Sequence, residues 1–343
     1  MRELPDVPLS NLTTLRVGGP AERLLEVSTT DELVDAVRGE GRDGCLVLAM
    51  GSNVVIGDAG VDVPVVAVRT AGVDVRRAGG EVLVEVAAGE SWDDLVARAV
   101  AEGWTGVEAL SGIPGSVGAT PIQNVGAYGQ EIAEVVAGVE VFDRLTARRR
   151  RMSRAECAFT YRGSVFKSEP DRLVVLAVQL RLRVDDEGGP VRYAELARTL
   201  DIELGGRAPL SAVREAVLDL RRRKGMLLDA TDHDTWSAGS FFTNPVLPAS
   251  EVPDAAPRWE QPDGRVKTSA AWLIEQAGFG KGFGTGLGTG RATLSTKHTL
   301  AVTNRGRATT EDVLLLARTV RAGVRGRFGV TLHPEPTLVG VHL

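Results

Sequence analysis

The chain has 343 residues, enough for two domains with sizeable cores, and 40 Lys+Arg against 45 Asp+Glu leave it mildly acidic at −5. That balance argues against a protein built to grip nucleic acid, and 43% hydrophobic with 25% charged residues excludes a disordered chain. Cys45 and Cys157 are too few for a disulfide framework, an iron–sulfur cluster or a structural zinc site; with only four histidines, none before His233, no metal is expected.

In chain order, the N-terminal MRELPDVPLS carries no apolar run and reads as no signal peptide. Thr30 opens the helix TDELVDAVRGEG, with acids in its first turn and glycines at its end. Ser91 opens SWDDLVARAVAEG, with Asp94 three residues on. The uncharged stretch 109–130 is broken by Pro114 and Pro121 and is too polar to cross a bilayer, so no membrane contact is expected and the location is cytoplasmic. Ser211 caps AVREAVLDLRRRK, and Thr310 precedes EDVLLLARTVRAGVRGRFG, whose basic last turns suit a helix C-terminus. Between these lie β-branched runs bounded by Gly, Asp or Pro: CLVLAM, VPVVAV, EVLVEVAAG, RLVVLAVQLRLRV, TLAVTN and TLVGV. Their irregular order predicts α+β. Composition shifts at residues 185–193 and 245–263, read as a surface connection and a loop, place a domain boundary near 205.

The familiar nucleotide and hydrolase signatures fail. No P-loop and no G-x-S-x-G occur, and GFGKGFGTGLGTG misses G-x-G-x-x-G in every register. With glycine at every even position from Gly278 to Gly290, that run reads as a flexible loop. The basic runs 147–154 and 221–224 lack interleaved aromatics and read as solvated faces.

Two segments carry more. Gly51-Ser52-Asn53 follows an apolar strand, and such a turn can aim backbone N–H groups at an anion. Ser111–Gly129, SGIPGSVGATPIQNVGAYG, has small residues that let backbone approach a flat ligand. Downstream, Arg162, Ser240 and Glu335 sit in apolar, glycine- or proline-rich frames; each fits equally a functional group, a satisfied buried polar group or a surface residue.

Taken in order, GSNV, SGIPGSVGATPIQNVGAYG, YRGSVFK, GSFFTNP, KTSAAWLIEQ (267–276) and HPEP resemble the UDP-N-acetylenolpyruvoylglucosamine reductase family over nearly the whole chain. The resemblance implies an α+β fold: an FAD-binding module of the vanillyl-alcohol-oxidase type in two subdomains over 1–205, then an α/β substrate-binding domain over 206–343. The last strand, about 331–343, is open to a return to the flavin module. It implies non-covalent FAD, since no histidine precedes His233, NADPH as reductant, and UDP-N-acetylglucosamine enolpyruvate as substrate. The family's reduced flavin delivers hydride from N5 and yields UDP-N-acetylmuramate for peptidoglycan. No nucleic-acid or membrane partner is implied, and a monomer is expected.

The same resemblance assigns residues. Arg162 stands at the substrate carboxylate, Ser240 donates the proton and Glu335 stabilises the enolate. Gly51, Ser52, Asn53 and Val54, then Ser111, Ile113, Pro114, Gly115, Ser116, Gly118, Ile122, Asn124, Gly126 and Ala127, hold the cofactor. Tyr128, Tyr161, Tyr193, Lys224, Asn244, Lys267 and Gln276 hold the nucleotide sugar, with Tyr193 of PVRYAEL marking the family type that has an extra tyrosine loop. Thr337 stands where one branch of the family has an arginine. Rival readings are another FAD-dependent oxidoreductase of the same fold, a catalytically inactive flavin-binding relative and a nucleotide-sugar module without flavin.

Overall fold

The structure is a computed structural model that describes residues 1–40 and 44–343. It divides into two compact units, Met1–Val7, Ala21–Met50 and Asp62–Arg223 forming the first, and Pro8–Pro20, Gly51–Val61 and Lys224–Leu343 the second.

The first unit holds two sheets. One has the strand order Arg2–Pro8, Pro20–Val27, Val65–Val68, Leu46–Leu48. Val65–Val68 runs parallel to both neighbours and is wholly buried, as its unbroken apolar run suits. Helix α1 (Thr30–Gly39) makes the crossover, and Thr29 rather than Thr30 caps it by accepting the Glu32 N–H. The Gly41 expected at its end lies outside the described residues. The second sheet is antiparallel, in the order Arg148–Ser153, Val136–Asp143, Leu173–Val184, Glu81–Ala87, Val73–Ala78, with Trp104–Thr105 pairing to the end of the central strand. The basic run 147–154, read as a solvated face, is therefore an edge strand. Arg149 pairs with Asp31, Arg150 with Glu156 and Arg151 with Glu85, and an edge so charged resists pairing with another chain.

Helix α2 (Trp92–Ala101) is capped by Ser91, which accepts the Asp94 N–H, and buries Trp92, Leu95, Val96 and Ala99. After the short α3 (Val165–Ser168) and α4 (Ala194–Thr199) comes α5 (Leu210–Arg223). Its Val213, Ala216, Val217 and Leu220 pack with Ala109, Val191, Leu196, Ala197 and Ala208. Ser211 lies inside its first turn and is not its cap; the Pro209 carbonyl takes the Val213 N–H. Because α5 packs this way, the compact units do not follow a single cut near 205.

In the second unit, α6 (Ala270–Gln276) and α7 (Thr310–Phe328) bury Leu273, Ile274, Val313, Leu316 and Val320 against the antiparallel pair Ala292–Leu294 and Val302–Asn304. Thr309 and Asp312 form a capping box on α7, and Gly329 ends it at φ 71°. Thr310, the expected opener, instead donates its hydroxyl to the Ile56 carbonyl. The last strand, Thr337–Val339, pairs in parallel with Val54–Ile56. The expected loop 245–263 contains two short strands, Val246–Leu247 and Arg258–Glu260, flanking Val266–Thr268. The glycine run is a set of packed turns rather than a loose loop. Phe279, Phe283 and Leu287 lie against the α6–α7 core, and a Cβ on Gly323 would sit 2.3 Å from the Phe279 ring.

Candidate active site

In the first unit the segment Ser111–Gly129 is stapled by its surroundings. Asp93 Oδ1 accepts the Gly112 N–H at 2.6 Å, and Trp92 donates its indole N–H to Leu110 O and its backbone N–H to Gly115 O. Val117 and Gly118 donate to Glu90 O and Ala88 O. Gly118 is a packing glycine, since a Cβ there would lie 2.5 Å from Ala88 Cβ. Burial pushes the Asp93 carboxyl up, but the Arg214 guanidinium and the Gly112 N–H more than offset this, so it sits below the ordinary carboxylate value. Ser116 is 1% exposed, and its Oγ has no partner among the described residues. A buried hydroxyl without a partner fits a bound group rich in acceptors, and a flavin dinucleotide's pyrophosphate is such a group.

Arg162 is mounted on a strained turn. Thr160 and Gly163 exchange both backbone hydrogen bonds, and Arg162 between them has φ 53°, a left-handed conformation costly for an arginine. Four contacts hold the turn to the 122–126 loop and to α3. Ser164 Oγ donates to Ile122 O at 2.6 Å, and Arg162 Nη2 to Gly126 O at 2.8 Å. Asn124 Nδ2 donates to Thr160 O at 3.1 Å, and Lys167 Nζ to Arg162 O at 3.2 Å. Asn124 itself has φ 47° and is 2% exposed; Nδ2 also donates to Glu131 Oε2, while Oδ1 accepts the Ala133 N–H. Asn124 is expected among the cofactor-binding residues, and its side chain is committed to building the Arg162 turn. The Tyr161 ring lies 5.6 Å from the Arg162 guanidinium carbon.

Tyr128 and Tyr193 meet edge to face with ring centroids 5.5 Å apart. Burial pushes the Tyr128 hydroxyl up to about 12, so it is a donor and not a phenolate at neutral pH. Tyr193 is 43% exposed.

In the second unit, Ser240 follows Gly239, whose φ of 73° makes the bend, and precedes Phe241 and Phe242, both 1% exposed. Phe241 N–H donates to Leu300 O at 2.7 Å, and its carbonyl accepts the Glu335 N–H at 2.9 Å. Glu335 stands between Pro334, which bridges to Phe242, and buried Pro336. Asn53 reaches the Glu335 carbonyl at a long 3.5 Å, and Asn53 O accepts the Thr337 N–H at 3.0 Å. Asn53, Ser240 and Glu335, dispersed in sequence, therefore lie on adjoining backbone. Thr337 contributes backbone pairing here. At Gly51, φ 56°, a Cβ would lie 2.1 Å from Leu12 O, so its glycine is fixed by packing. Asn244 Oδ1 accepts the Ala270 N–H at the start of α6, whose last residue is exposed Gln276. Lys267 lies on the central strand of the small sheet, cross-strand from Val246 and Trp259, and Lys224 opens the long final segment of this unit. Sequence reasoning passed over Asp93, Glu108 and Glu131, because a carboxylate that organises backbone carries no motif.

Residues 230–339 match the family model described as UDP-N-acetylenolpyruvoylglucosamine reductase, C-terminal domain, and residues 21–148 match that of an FAD binding domain. A UDP-N-acetylenolpyruvoylglucosamine reductase of Cutibacterium acnes is 55% identical over 98% of this chain and 90% of its own. That of Salinispora arenicola is 56% identical over 98% of this chain and 95% of its own. The crystal structure of UDP-N-acetylenolpyruvylglucosamine reductase from Thermus caldophilus is similar at a TM-score of 0.69 and 27% identity, covering 99% of both chains.

Proposed function

The chain belongs to the UDP-N-acetylenolpyruvoylglucosamine reductase family, and on that premise we propose how its own residues divide the work. It is an FAD-dependent oxidoreductase of peptidoglycan precursor synthesis. The substrate in this reading is UDP-N-acetylglucosamine enolpyruvate, the product UDP-N-acetylmuramate and the reductant NADPH. Bound FAD supplies hydride for the enolpyruvyl double bond.

Hydride addition at the methylene carbon leaves negative charge on the neighbouring carbon and its carboxylate. Arg162 binds that carboxylate with a planar guanidinium that stays charged and is held by a preformed turn, so little reorganisation is needed as charge develops. Ser240 gives its Oγ proton to the α-carbon. A hydroxyl is a weak acid, but the carbanionic carbon is a far stronger base than water, so the proton leaves only when the intermediate exists. Glu335 stabilises the enolate either protonated or through water.

The backbone hydrogen bond between Glu335 and Phe241 carries this reading, because it sets two of the three assigned groups on neighbouring rigid segments. Tyr128, Tyr161, Tyr193, Lys224, Asn244, Lys267 and Gln276 are assigned to the nucleotide sugar, and Ser116 with Gly51–Val54 to the cofactor. The reading includes a monomer in the cytoplasm; among the described residues no helix is long and apolar enough to cross a membrane.

The experiment is Ser240→Ala followed by separate half-reactions. NADPH should still bleach the flavin at the normal rate, while reoxidation by the enolpyruvyl sugar should fall by about 10²–10⁴-fold. Normal turnover by this variant contradicts the assignment.

A further inference from the structure

Among the described residues three carboxylates are almost wholly buried, and two of them, Asp143 and Asp234, pair with Arg172 and Arg305. The third, Glu108, is 1% exposed and has no cation at ion-pair distance among the described residues. Its hydrogen-bond donors are all neutral, and the Arg207 guanidinium acts on it only from beyond ion-pair distance. Oε2 accepts the Gly106 N–H at 2.6 Å; Oε1 accepts the Gly189 N–H at 2.8 Å, Gln130 Nε2 at 2.9 Å and Thr105 Oγ1 at 3.3 Å. Gln130 completes the link by accepting the Ala109 N–H at 2.7 Å. A Cβ on Gly188 would lie 2.9 Å from Glu108 Oε1, so the approach of that segment depends on glycine. From its far side Arg207 Nε donates to Gly188 O.

Burying a charge without a counter-ion is costly, and an apolar residue could fill the volume without that cost. What a carboxylate does here is accept from four donors at once, which an amide cannot, since its nitrogen would face another donor. Two of the donors are local, Gly106 and Thr105, and two come from segments remote in sequence, Gln130 and Gly189. Gln130 lies two residues after Tyr128 and Gly189 four residues before Tyr193, and those two rings touch edge to face at 5.5 Å.

We propose that Glu108 is a positioning residue that locks the Tyr128 and Tyr193 segments together, with Gln130 as its relay, and so sets affinity for the UDP-sugar. This rests on the reading that the tyrosine pair binds that substrate. The nicotinamide half-reaction does not depend on it.

The test uses the FAD-loaded enzyme. In Glu108→Gln the KM for UDP-N-acetylglucosamine enolpyruvate should rise about tenfold, equivalent to about 1.4 kcal/mol. The Kd for UDP, read from the flavin absorbance change, should rise in parallel, with kcat and the rate of flavin bleaching by NADPH unchanged. Gln130→Ala, at a half-buried position, should do the same more weakly and serves if Glu108→Gln does not fold. A lowered Tm with unchanged KM in both variants overturns the proposal, as does an equal fall in both half-reactions. Tyr193→Ala separates the two levels. If it raises KM and the Glu108 and Gln130 variants do not, the positioning role alone fails; if it leaves KM unchanged, the substrate assignment fails and the proposal with it.

Discussion

Asn124→Ala removes three hydrogen bonds from a site that is 2% exposed: Nδ2 to Glu131 Oε2 at 2.8 Å, Nδ2 to Thr160 O at 3.1 Å, and the Ala133 N–H to Oδ1 at 3.1 Å. The bond to the carboxylate is worth about 2 kcal/mol and the neutral ones about 1 kcal/mol each. Alanine at φ 47° adds about 1 kcal/mol that asparagine largely avoids. A loss of about 4–5 kcal/mol at a few degrees per kcal/mol lowers Tm by about 10–15 °C. Asn124→Gly recovers about 1 kcal/mol of this, because glycine accepts the left-handed backbone. Asn124→Asp keeps the Ala133 bond but sets a carboxylate against Glu131 and the Thr160 carbonyl, so it is the least stable at neutral pH and recovers on mild acidification. Because Thr160 opens the Arg162 turn, oxidation of the reduced flavin by the enolpyruvyl sugar should slow by about 10–100-fold while reduction by NADPH keeps its rate. Differential scanning calorimetry of the three variants, with stopped-flow absorbance of each half-reaction, checks both parts. A Tm within 3 °C of the parent for Asn124→Ala, or equal slowing of both half-reactions, refutes the view that Asn124 builds the Arg162 mount.

Arg214→Ala leaves Asp93 partly buried and without its guanidinium partner, costing about 3 kcal/mol at pH 7. In the parent the folded Asp93 titrates below its unfolded value, so the unfolded state binds more protons and this contribution is present above about pH 4 and lost as the pH falls further. The variant should therefore show a shallower acid limb in urea unfolding followed from pH 7 to pH 3, and an unchanged acid limb contradicts the pairing. Gly118→Ala forces a Cβ to within 2.5 Å of Ala88 Cβ and must shift the loop that carries Ser116. It should cost about 1–3 kcal/mol and lower the flavin-to-protein absorbance ratio after purification; full flavin content at an unchanged Tm counts against this loop as the cofactor's seat.

The long helices were legible because their signals are local. For α7 an acidic first turn, a threonine cap and a terminal glycine lie within one stretch, and the cap was misplaced by one residue only because Thr310 found a tertiary acceptor in Ile56 O. The strand 148–153 was hidden because its arginines look like a solvated face until sequence-distant carboxylates such as Glu85 and Asp31 are placed beside them. Strands of three residues, as at Val54–Ile56 and Thr337–Val339, carry no period to read, and their pairing joins segments at opposite ends of the chain. That pairing is also why the compact units are discontinuous. In the glycine run, Phe279, Phe283 and Leu287 recur every fourth residue, a packing signal obscured by the alternating glycines. Motif residues were found by resemblance. Whether an amide serves a ligand or the backbone, as at Asn124, depends on donors and acceptors that only the fold brings near.

The most direct measurement is the visible spectrum of the purified protein under anaerobic conditions, with NADPH added first and UDP-N-acetylglucosamine enolpyruvate second. A bound flavin that bleaches with NADPH and regains its colour on stoichiometric addition of the enolpyruvyl sugar is the predicted result. A flavin that bleaches and stays bleached when the sugar is added contradicts the proposed substrate, and a protein that takes up no FAD contradicts the account at its base.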